Sequence, residues 1–370
     1  MGLSDTTYGV TKSPRVYVDN FLLARTLGMK MNIGSFRAKH PETSEQDYIY
    51  FGNNPTQKKL LWDMDPVRYS TFASPGGDWT KLQTEFFTYP DDRPDMKPFL
   101  NLMHTSNYAA VLNHNLYSGS DQSVKVDINY NGGTSPVTTG IVGEFGQDVG
   151  EDGFIISRIN LNGTDSELFE FDFNITPSQG SYLSDNFEYN IGSFSVGTYI
   201  DFPFSPDLEV KTTYSHEGVQ SKRTIAGKDL THVSYSGAPN WGKLPPFTTS
   251  MAGESNFQGS ELTGRKAWDM KFSYIDKTDM FNRAQSGSSA GSYWRILQTG
   301  GGFSVDGFKN DNSILNTYLS RTLGGKLKHI LQPDNTKKEF YMVKLDQNAT
   351  NITQMGAGVF GVSLKFVQVW

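Results

Sequence analysis

The residues able to do chemistry in this chain are few, and their spacing rarely suits a reaction. Six histidines stand at 40, 104, 114, 216, 232 and 329, and no two share a metal-ligand spacing. Zinc is therefore not expected. Acidic residues gather at Asp91-Asp92-Asp95, at Glu144-Asp148-Glu151-Asp152 and around Asp201 to Asp207. The second group lies in a Gly-rich stretch, and a loop at Gly146 to Gly153 could supply the several oxygens that Ca2+ needs. Its ligand order matches no calcium motif, and acidic residues in such turns are usually just solvated. Paired carboxylates would also serve a glycosidase. With 39 acidic residues, however, pairs are inevitable and none stands out.

Three glycine-rich stretches imitate catalytic or phosphate motifs. Gly287-Ser288-Ser289-Ala290-Gly291 spells a nucleophile elbow, but the elbow needs an apolar strand before it, and Asn282 to Ser286 is polar. Gly237 to Lys243 reaches Gly-x-x-x-x-Gly-Lys, yet Leu244 replaces the required Ser or Thr and Pro239 interrupts the loop. Gln298-Thr299-Gly300-Gly301-Gly302 lacks a lysine and reads as a turn. Sequons at Asn162, Asn174, Asn348 and Asn351 matter only on a secretory route. Tyr189, Tyr199, Tyr235 and Trp241 could stack on a sugar face, although aromatics at strand parity are usually core. No enzymatic activity and no cofactor are expected, with Ca2+ the one ion left open.

Composition points the same way. Net charge is -6, which disfavours an electrostatic nucleic-acid binder. The absence of cysteine excludes disulfides and thiolate sites and leans towards synthesis in a reducing cytosol. Met1-Gly2-Leu3-Ser4-Asp5-Thr6 lacks the charged and apolar regions of a signal peptide. Gly2 and Thr6 meet the loose myristoylation spacing, a short pattern that arises readily by chance. No apolar run reaches the length of a membrane span. Aromatic content of 13% with 37 glycines suits many short strands joined by turns.

The elements follow from periodicity. Trp268, Met270, Phe272 and Tyr274 fall on one side of an extended segment, as do Phe360, Val362, Leu364, Phe366 and Trp370, with Gln368 the polar exception. Val16 to Val18 reads as a strand running into a helix capped by Asp19, with Phe21, Leu22, Thr26 and Leu27 on its apolar side and Gly28 as its stop. Strands are expected at Phe99 to Met103, Asn107 to Asn113, Val124 to Tyr130, Phe154 to Ile159, Phe169 to Ile175 and Phe194 to Ile200. A helix with Ile314, Leu315, Tyr318, Leu319, Thr322 and Leu323 on one face should end at Gly324-Gly325. Residues 89–98 and 237–264 read as linkers.

Three stretches resemble structural proteins of tailed bacteriophages. Asn107-Tyr108-Ala109-Ala110-Val111-Leu112-Asn113-His114-Asn115-Leu116 is similar to a strand-and-turn of galactose-binding-like jelly rolls in virion proteins. Ile191 to Tyr199, followed by Phe202-Pro203-Phe204-Ser205-Pro206-Asp207-Leu208, resembles the last strand and exit loop of that domain. Gly264 to Tyr274, taken with Leu331-Gln332-Pro333-Asp334 and Val362 to Trp370, resembles the sheet-forming part of tail and baseplate proteins, including distal-tail hub proteins.

The resemblance implies a non-enzymatic virion component made in the host cytoplasm, forming a trimeric or hexameric ring with other virion proteins as neighbours. The expected fold is mainly β: a jelly-roll β-sandwich plus a ring-forming β domain with one or two short helices. The ring domain would comprise residues 1–88 and 265–370, and the jelly roll 99–236. Trp268, Phe272, Leu364, Phe366 and Trp370 would form that domain's core or its subunit contact. The alternatives are a carbohydrate-binding host-recognition module and a capsid decoration or connector protein.

Overall fold

The computed structural model describes residues 13–29, 32–33, 37–39, 60–73, 81–88, 99, 102–116, 124–130, 137–145, 147, 153–160, 169–177, 188–215, 219–233, 265–281 and 313–369. Strands dominate. In chain order they are β1 (Arg15–Asp19), β2 (Asn32–Ile33), β3 (Arg37–Lys39), β4 (Ser70–Ala73), β5 (Lys81–Thr88), β6 (Tyr108–His114), β7 (Val124–Tyr130), β8 (Val137–Val142), β9 (Phe154–Asn160) and β10 (Phe169–Pro177). They continue as β11 (Glu188–Asp201), β12 (Lys211–Ser215), β13 (Val219–Arg223), β14 (Asp229–Val233), β15 (Arg265–Asp276), β16 (His329–Gln332), β17 (Tyr341–Leu345), β18 (Ile352–Gly356) and β19 (Val359–Gln368). Helix α1 is Asn20–Thr26, α2 is Lys277–Met280, and a π-helix spans Ile314–Leu319.

Twelve strands make one antiparallel sheet in the order β12-β15-β19-β17-β16-β1-β11-β6-β9-β8, with β18 beside β19 and β4 beside β11. A smaller sheet runs β2-β5-β10-β7, with β3 also on β5, and among the described residues β13 pairs with β14 alone. The two larger sheets pack as a β-sandwich. Alternation in β7 and β10 turns Val126, Ile128, Phe171, Phe173 and Ile175 towards Ala109, Val111, Phe194 and Val196 of the large sheet. Trp62 fills this interior, its ring 4.9 Å from Phe21, 5.4 Å from Phe194 and 6.0 Å from Phe173.

The opposite side chains of β6 and β9 enter a second core. Tyr108, Ala110, Leu112, Phe154 and Ile156 share it with Trp268, Met270, Phe272, Val362, Leu364 and Phe366. Distant ends of one sheet can share a core only if the sheet curls. Phe340 and Tyr318 fill the concavity, Phe340 lying 5.7 Å from Phe154 and Tyr318 5.9 Å from Phe202. Phe202 in turn stacks on Phe272 at 4.8 Å.

Hydrogen bonding runs across the segment boundaries read from the sequence. β1 lies between β11 and β16, so the first segment touches both the middle and the last. β5 pairs with β10, and β12 pairs with β15.

Four local readings change. Tyr274 is 75% exposed and Ile275 takes the inward place, because the β15–β19 register shifts between Phe272 and Ile275. One extra residue at a bulge reverses parity beyond it. Phe99, Leu102 and Met103 are helical and buried, an i, i+3, i+4 pattern that marks a helix and not the expected strand. In α1 the buried side chains are Asn20, Phe21, Leu23 and Ala24, while Thr26 faces out. The cap itself is as expected: Asp19 accepts from the Leu22 amide at 2.5 Å, and Gly28 sits at φ 68°. Finally, Ile314–Leu319 is a π-helix rather than an α-helix, and the turn after it passes through positive φ at Leu323, Gly324 and Gly325.

Candidate interaction surface

Most groups with displaced pKa values are walled in. Burial lowers His329 to about 4. Its Nδ1 lies 2.9 Å from the Leu327 carbonyl and must donate there, so its Nε2 accepts from the Tyr318 hydroxyl at 2.9 Å. Burial also lowers His114 to about 3 and raises Asp19 to about 6. Asp19 accepts from Ser195 Oγ at 2.5 Å, and Ser195 in turn accepts from the Tyr108 hydroxyl at 2.9 Å. Asp19 and His329 thereby join elements of the fold, and all three groups are buried.

They should nevertheless set the response to acid. Each buried histidine stays neutral in the folded chain while its unfolded counterpart protonates near pH 6.5, so the unfolded state gains protons first and stability falls as pH drops through that value. Asp19 acts oppositely, because its raised pKa lets the folded chain hold a proton that the unfolded chain releases between about pH 6 and 3.8. Two histidines outweigh one carboxyl. Urea denaturation should show about 2 kcal/mol less stability at pH 5 than at pH 7. Equal or greater stability at pH 5 would contradict this account.

The sequence's site residues are placed as follows. Trp268, Phe272, Leu364 and Phe366 are buried core side chains on β15 and β19. Trp370 lies outside the described residues, as do the linkers at 89–98 and 237–264, the three glycine-rich imitations, Trp241, Tyr235 and the acidic residues 148, 151 and 152 of the calcium loop. Tyr189 is 2% exposed and presents no sugar platform. Tyr199 is half-buried, with the Arg15 and Arg158 guanidinium groups 4.9 and 5.3 Å from its ring centre. Arg15 is itself held by Asp201 through two bonds of 2.7 and 2.9 Å. Gln368, the polar exception on β19, is buried and accepts from the Lys266 amide at 3.1 Å. Among the described residues no three potential metal ligands cluster, and no helix is long and apolar enough to cross a membrane.

What the surface offers is an edge and an arm. β12 ends the twelve-stranded sheet, and its side chains from Lys211 to Tyr214 are exposed. It is tied inward through β15: Lys266, opposite Tyr214, donates to the Tyr341 hydroxyl at 3.1 Å and lies 5.6 Å from the Tyr214 ring centre. Desolvation lowers the Lys266 pKa. Beyond β12 the β13–β14 hairpin forms a sheet of its own, closed by a turn in which Gly227 (φ 80°) donates to the Thr224 carbonyl at 2.9 Å. Sequence reading passed over this hairpin. The available signal was two polar, alternating runs flanking Thr224 to Lys228, with too little apolar content for either to be a core strand.

Compared with protein-family models, curated proteins and solved structures, the chain matches none.

Proposed function

We propose that the chain is a non-enzymatic structural subunit that assembles with copies of itself, of the bacteriophage virion class its sequence resembles, with a tail or baseplate ring as its place. The observation that carries this reading is that β12 ends the twelve-stranded sheet, has no partner on its outer side among the described residues, and runs on towards an exposed hairpin. A free edge with exposed backbone donors and acceptors is a template for another strand. The titratable groups described above serve internal bonds, which leaves assembly as the better use of the surface. The jelly-roll identity of the sandwich and the virion location rest on the sequence resemblance.

Light scattering of the full-length chain over a range of concentrations tests the reading. A closed oligomer, a trimer or hexamer, is expected, since cyclic assembly satisfies every copy's contacts. A mass of 41.3 kDa at every concentration would count against self-assembly.

A further inference from the structure

We infer that the β13–β14 hairpin is an assembly arm that docks on a second copy of this chain, an inference that rests on the self-assembly reading above and names its contact. Three observations carry it. First, among the described residues the hairpin is a sheet of two strands, with its side chains exposed on both faces apart from the half-buried Thr224. Such a pair is marginal in water without a third strand or a packed face. Second, apolar exposure is concentrated in the stretch of sequence that leads into it and through it. Nine large apolar side chains stand exposed among the described residues, and five of them, Phe204, Leu208, Tyr214, Ile225 and Leu230, fall within one stretch ending in β14. Ile225 at the tip is fully open. On the hairpin itself Ile225 and Leu230 are exposed apolar side chains that burial against a partner would cover.

Third, the arm's charge opposes that of the rest of the chain. Residues 219–233 carry Lys222, Arg223 and Lys228 against Asp229 alone, a net +2. The whole chain is -6, so the remainder is -8. A basic arm meeting an acidic body is attracted to a second copy, whereas arm-to-arm and body-to-body approaches repel. The occupant that fits is therefore the body of another copy of this chain.

The chain's lack of cysteine gives a clean probe. Full-length protein carrying Ile225→Cys, labelled with a nitroxide, should show a mobile spectrum when dilute and an immobilised one in the oligomer. Two double variants test the contact by mass: Ile225→Asp with Leu230→Asp, and Lys222→Glu with Lys228→Glu. Both should read 41.3 kDa at concentrations where the parent is oligomeric, with unchanged far-ultraviolet circular dichroism. If the parent is oligomeric and both variants keep its mass, or the label stays mobile in the oligomer, the arm is refuted while self-assembly stands. A parent that is monomeric throughout refutes both and assigns the arm to a different protein.

Discussion

Gly197→Ala is expected to be the most damaging single methyl group that can be added to this protein. Gly197 lies on β11 opposite Asp19, where the chain leaves β1 and turns into α1. A Cβ on Gly197 would sit 1.9 Å from the Val18 carbonyl oxygen and 2.9 Å from the Asn20 amide nitrogen. Both are backbone atoms of the strand-to-helix turn, so no rotamer change relieves the clash. Relief requires parting β1 from β11, which also loosens the Asp19 cap and its bond to Ser195. Overpacking of this kind costs upwards of about 3 kcal/mol, against a total stability on the order of 10 kcal/mol. The expected result is a large fall in soluble yield and in the thermal midpoint. Gly356→Ala, whose added Cβ would meet nothing within 4 Å, should melt like the parent. Equal midpoints for the two variants would show that the turn does not pass so close over Gly197.

The contrast between these two glycines also marks where sequence reasoning stops. Alternation placed β7, β10 and the even-numbered side chains of β19, because a strand buried on one face repeats every two residues whatever it pairs with. The Asp19 cap and the Gly28 stop were equally legible, being local backbone chemistry. Parity failed at Tyr274, where a bulge adds a residue without altering the residue types. It failed at Phe99 to Met103 because a short apolar run satisfies both periods. The order of the large sheet was not legible at all. β1 is separated from its two neighbours by more than a hundred residues, and nothing in a single strand names its partner. The segments read as a two-part ring domain, 1–88 with 265–370, and as a jelly roll, 99–236, hydrogen-bond to one another across those boundaries. The exposed hairpin escaped notice for a related reason: a polar strand pair resembles a loop until its pairing is known.

Arg321 is the residue that sequence reading was least able to value. A charged side chain late in a helix is ordinarily assigned to solvent or to the helix dipole. Here it is 1% exposed, and its Nη1 donates to Thr105 Oγ1 at 2.9 Å, to Asn20 Oδ1 at 3.4 Å and to Thr198 Oγ1. Asn20 Nδ2 completes the cluster through the Leu102 carbonyl at 3.3 Å and Ser106 Oγ at 3.0 Å. Thr198 Oγ1 also donates to the Thr105 carbonyl at 3.1 Å. One guanidinium thus ties the turn after the π-helix to α1, to β11 and to the segment before β6. The acceptors around its Nη1 come from three distant parts of the chain, and such hydrogen bonds are what make a buried cation tolerable. Arg321→Ala removes those donors from a dry interior and leaves a cavity, for an expected loss of about 3 kcal/mol. Arg321→Met separates the two effects, because it restores most of the volume and none of the donors. It should still lose about 2 kcal/mol if the hydrogen bonds dominate. Combining it with Thr198→Val removes an acceptor together with its donor, so the double variant should lose less than the two single losses added. Chemical denaturation of the four proteins measures this coupling. Strict additivity would mean that Arg321 acts through its volume alone, and that the polar node is not what holds the three segments together.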